Sequence, residues 1–107
     1  MRSGNAAVYL LKEEFENFLT SPRRIDVCDW IGRYFYLLEQ YSEAGSWYET
    51  AGQLILAEPN TPSTLKALAA LCEFEKALDC YREDDDSEAL TKCAALVEEL
   101  KRACAPA

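Results

Sequence analysis

The side chains with most intrinsic reactivity here are five cysteines, Cys28, Cys72, Cys80, Cys93 and Cys104, in a chain of 107 residues that contains no histidine. A catalytic thiol is normally activated by an imidazole or another adjacent base, so nucleophilic catalysis lacks its usual partner. General acid–base work would fall to carboxylates, and Glu13, Glu14 and Glu16, like Glu98 and Glu99, read as solvated helix faces. Structural zinc needs closely spaced cysteine pairs, whereas Cys72 and Cys80 lie about 12 Å apart along a straight helix. Those two read as small buried apolar groups, and Cys104, near the carboxyl end, as the reactive thiol. The pattern implies no enzyme, no metal site and no cofactor.

Charge and composition narrow the partners. With 11 basic and 19 acidic side chains the net charge is -8, and the basic residues are scattered, which argues against nucleic acid. The longest apolar runs are interrupted by Lys12, Arg33 and Lys66, which argues against membrane insertion. An odd cysteine count with no secretory signal ahead of it implies a reducing compartment, cytoplasmic or nuclear. Half the residues are apolar, and scarce Gly and Pro fall at boundaries, so an all-α chain forming one small domain is expected over 1–107.

Five helices must position these groups. The first is expected over 5–19, with Val8, Leu11, Phe15 and Phe18 on one face. Ser21-Pro22 opens a second, running to about Gln40, whose apolar residues cover more than one stripe and so suit a central helix. A third begins near Ser42 and ends before Pro59, because a residue preceding proline is pushed out of the helical region. Thr61-Pro62 starts a stretch to about Glu83, as one helix or two with a break near Cys72-Glu73. Asp84-Asp85-Asp86 places negative charge where it favours the start of a final helix, expected over 87–104.

One internal similarity stands out. Tyr41, Ala44 and Tyr48 align with Phe74, Ala77 and Tyr81, each an aromatic, a small residue three later and a tyrosine four beyond, at an offset of 33 residues. Together with Ile31, Gly32, Phe35 and Ala51, this spacing resembles the tetratricopeptide repeat family, whose unit is a helix-turn-helix with small residues at the helix crossing. The match is best over 26–59. Over 61–83 it is degenerate, because Leu65 stands where glycine would be expected and Asp84 replaces the last small residue. An ordinary helical bundle with small residues at its contacts is the alternative.

The resemblance implies a five-helix array of hairpins, a short α-solenoid or bundle, with 5–19 and 87–104 as capping helices. It also implies a concave groove lined by first helices, here Asp29, Arg33, Tyr36 and Leu37, with Lys66 and Ala70 from the second unit. Asp29 and Arg33 do not reproduce the Lys and Asn clamp of the chaperone-binding members. The expected function is therefore an adaptor or scaffold domain binding a peptide or helix of another protein. The alternative is a self-associating module, a homo-oligomer formed through aromatic surface around Trp47.

Overall fold

Four helices account for the regular structure of residues 23–104, the part described by a computed structural model. They are α1 (Arg24–Leu37), α2 (Tyr41–Leu56), α3 (Ser63–Glu83) and α4 (Ser87–Cys104), and the described residues contain no strand. The all-α expectation therefore holds, while the helix expected over 5–19 lies outside the described residues. The stretch 63–83 is one continuous helix with no break at Cys72-Glu73. Substantial packing joins each helix to its neighbour in sequence, α1 to α2, α2 to α3 and α3 to α4.

The turn between α1 and α2 has a specific cause. Glu39 adopts a left-handed backbone (φ 60°), its amide donates to the Tyr36 carbonyl and the Gln40 amide to that of Phe35. This is a Schellman stop, which satisfies carbonyls that the helix end would otherwise orphan. It ends α1 at Leu37, earlier than the apolar pattern to Gln40 predicts. The turn between α3 and α4 repeats it: Asp85 is left-handed (φ 54°), its amide donates to Arg82 and that of Asp86 to Tyr81. Asp86 then caps α4, its Oδ1 accepting from the Ala89 amide at 3.2 Å.

The two turns are equivalent position by position, as Phe35 and Tyr81 or Glu39 and Asp85, and each pair is 46 residues apart. Burial follows the same register on the preceding helices. Cys28, Ile31, Gly32 and Phe35 of α1 are buried, as are Phe74, Ala77, Leu78 and Tyr81 of α3. The 33-residue similarity has another origin, since Tyr41–Tyr48 and Phe74–Tyr81 lie on adjacent helices, α2 and α3.

That similarity records a packing device. The Tyr48 ring of α2 lies over Gly32 of α1, where a Cβ would sit 3.0 Å from the ring. Tyr81 of α3 lies over Gly45, and Phe74 over Gly52, where added Cβ atoms would come within 2.6 and 2.7 Å. Gly45 and Gly52 are two turns apart on one face of α2, so both rings of α3 settle on bare backbone. Ala44 and Ala51 beside them are fully buried, as the small-residue pattern requires.

At the far end α4 buries Cys93, Val97 and Leu100 and exposes Lys92, Glu98, Glu99 and Arg102, so its outer face is polar. No helix of the described residues is long and apolar enough to cross a membrane.

Candidate functional site

Because α1 and α3 both pack on α2, a groove runs between them with α2 as its floor. Tyr48, buried and centred on α2, forms the bottom. Polar side chains span the top: Lys76 Nζ of α3 lies 3.0 Å from Asp29 Oδ1 of α1, and Arg33 Nε lies 3.1 Å from Asp29 Oδ2. The same ammonium lies 3.2 Å from Glu73 Oε2 and 5.5 Å from the centre of the Tyr48 ring. Asp29 and Arg33 are one helical turn apart, as are Glu73 and Lys76, so both helices present their charges toward one bridge.

Burial sorts these charges. The two carboxylates lie inward, with Asp29 only 15% and Glu73 13% exposed, whereas the cations reach solvent, Arg33 at 66% and Lys76 at 42%. Burial, with the Asp29 charge adding to it, raises the Glu73 carboxyl above its ordinary value, while Lys76 pulls it down. Glu73 Oε1 is buried without a hydrogen-bond partner. Burial alone would lower Lys76, but its hydrogen bond to Asp29 and the Glu73 and Asp29 charges outweigh this and hold it above the ordinary lysine value. The Tyr48 phenol is pushed up to about 12, first by burial and then by Asp29, so the floor stays neutral.

Next to the bridge lies a pocket of about 230 Å³ lined by Tyr36, Tyr48, Lys76, Asp79 and Cys80. Tyr36 is 45% exposed and is steadied by an edge-on contact with Tyr41, ring centres 5.3 Å apart. A second concavity of about 300 Å³, between Glu49, Asp86, Glu88 and Lys92, is larger. Its polar lining offers no aromatic or large apolar anchor, so we regard the smaller pocket as the better site.

Of the residues expected in the groove, Asp29, Arg33 and Tyr36 come together there. Leu37, one turn beyond Arg33, is 79% exposed and does not line the pocket beside the bridge. Lys66 sits at the corner between α2 and α3, its ammonium donating to the Glu58 carbonyl at 2.9 Å, close in sequence to the Glu58 carboxylate that pairs with Arg24. Ala70 is fully buried and lines nothing. Trp47 is partly buried and packs against the core. Lys76 and Glu73 escaped sequence reasoning, because nothing in local spacing links Lys76 to a partner 47 residues away.

The cysteines divide unexpectedly. Cys28, Cys80 and Cys93 are buried, with thiols raised by desolvation to about 12, 11 and 12, and Cys93 donates to the Phe74 carbonyl at 3.3 Å. Cys72, expected to be buried, is exposed, because it lies on the face of α3 turned away from α2 and α4. Among the described residues no group of three or more Cys, Asp or Glu side chains is placed to hold a metal ion. No family model, curated protein or solved structure matches the chain.

Proposed function

We propose that this chain is a non-enzymatic interaction module of tetratricopeptide type, an adaptor or scaffold domain whose α1–α3 groove binds a peptide or helix of another protein. The observation that carries this reading is the half-exposed Tyr36 at a pocket floored by Tyr48, beside the solvent-reaching cations Arg33 and Lys76. At about 230 Å³ the pocket is smaller than the ~300–1,000 Å³ usual for metabolites, and suits a single inserted side chain. The 46-residue recurrence of helix, Schellman turn and helix supports a hairpin-repeat origin for the groove. Five free thiols fit a reducing compartment.

Replacing Tyr36 and Arg33 together with alanine tests this. Partner binding should weaken by more than about 2 kcal/mol while far-ultraviolet circular dichroism stays unchanged, because both side chains are exposed and central to the site. A folded double variant that binds normally would remove the groove from the account. Self-association is the second reading, favoured by Trp30 and Leu37, which are 43% and 79% exposed. Light scattering separates the two, since a monomer at working concentration excludes self-association.

A further inference from the structure

One face of α3 carries solvent-reaching side chains from its first turn up to the groove, and its chemistry changes in order. Leu65, Leu68 and Cys72 come first, then Lys76, then Asp79 beside the Tyr36 pocket. These positions recur every three or four residues and so share one helix face. An apolar station is thus followed by a cationic one, made of Lys76 with Arg33 from α1, and then by an aromatic pocket. Arg33 pairs with Asp29 through Nε while its side chain stays 66% exposed, and the acids of the bridge are the more buried partners. Asp79, the exposed acid at the pocket, is paired with Arg82 at 3.3 Å.

Taking the groove as a peptide site, we propose that it selects an extended acidic segment of a partner protein, with a side-chain carboxylate on Arg33 and Lys76 between two apolar anchors. Helical rise sets the spacing: Leu68 to Lys76 is about 12 Å and Lys76 to Cys80 about 6 Å. An extended segment advances about 3.3 Å per residue, so these gaps correspond to about four and two residues. The ligand therefore carries an apolar residue, an Asp or Glu four positions on, and an apolar or aromatic residue two positions beyond, in either chain direction. All three fall on one face of an extended chain, whose side chains alternate, and so all can reach this face of α3 together.

The test is selection of a random decapeptide library against the full chain and, in parallel, against Tyr36→Ala, Arg33→Glu and the milder Arg33→Gln, each checked by circular dichroism. The wild-type pool should converge on the acid with apolar residues at those spacings. Tyr36→Ala should lower enrichment of that pool at least about tenfold. Arg33→Gln should weaken the acid preference, and Arg33→Glu should replace it with Lys or Arg. A wild-type pool with basic residues or no charge preference at the central position, still dependent on Tyr36, would overturn the acidic specificity and leave the groove standing. Enrichment indifferent to Tyr36, or no enrichment at all, would remove both.

Discussion

The seam between α2 and α3 and the groove between α1 and α3 are built on opposite principles. In the seam, the rings of Phe74 and Tyr81 lie on Gly52 and Gly45 with no room for even a methyl group, while the Tyr81 hydroxyl donates to Glu49 of α2. In the groove, two helices that share only slight contact are joined by the charged bridge from Asp29 to Lys76, above a tyrosine floor. Close packing is costly to disturb and leaves nothing free to bind. A solvent-reaching ion pair contributes little stability but keeps charged groups positioned at the surface. The seam therefore fixes the angle at which α3 leaves α2, and on that fixed geometry the groove holds its charges at the surface.

The largest effects should come from the seam. Phe74→Ala removes a fully buried ring and should cost about 3–5 kcal/mol in chemical unfolding. Gly52→Ala and Ala44→Leu, which overpack instead, should each cost about 1–3 kcal/mol. An unchanged midpoint for Gly52→Ala would mean that α2 and α3 can move apart at little cost, and the contrast between the two regions would collapse.

Next comes pH dependence, to which the groove contributes Glu73. A carboxyl raised by folding binds more protons in the folded than in the unfolded state, so Glu73 should make stability fall as pH rises from its ordinary value of 4.5 through the raised one. Glu73→Gln should flatten that slope and leave the chain at least as stable at neutral pH. Denaturation midpoints taken across the acidic range decide this, and an identical slope in both proteins would assign it elsewhere. Above the ordinary thiol value of 9.0, the raised Cys28, Cys80 and Cys93 should again lower stability, because only the unfolded thiols ionise there.

Smaller still is the bridge itself. Asp29→Asn should change stability by only about 1 kcal/mol, since Arg33 returns to water and Lys76 keeps its pairing with Glu73. Mild alkylation should have no effect on the midpoint at all: Cys72 reacts first, and Cys28, Cys80 and Cys93 stay protected. Mass spectrometry of the labelled chain reads the order, and early labelling of Cys80 would show that α3 is less firmly seated than the seam requires.

How far the sequence revealed these regions depended on the range of the interaction. Helix content followed from apolar periodicity and proline placement, which are local signals. The stop at Glu39 was hidden, because its left-handed conformation falls on a residue with no turn signature. The 46-residue recurrence was equally invisible: Cys28 pairs with Phe74, Ile31 with Ala77 and Gly32 with Leu78, exchanging large for small. What repeats is burial and backbone, not residue type. The 33-residue similarity was legible because an aromatic ring on a glycine of the preceding helix demands the same residue types at each crossing. Asp29, Arg33 and Tyr36 follow from the resemblance to tetratricopeptide repeats, whereas Lys76 does not, since its place depends on where α3 lies across α2.

The most direct measurement of the central claim is an amide chemical-shift titration of the isotope-labelled chain with the peptide selected above. The account predicts the largest shifts at Arg33, Tyr36, Lys76 and Asp79, with α4 silent and no loss of helicity. Largest shifts at Trp30 and Leu37 or along α4, with the groove amides unmoved, would contradict it.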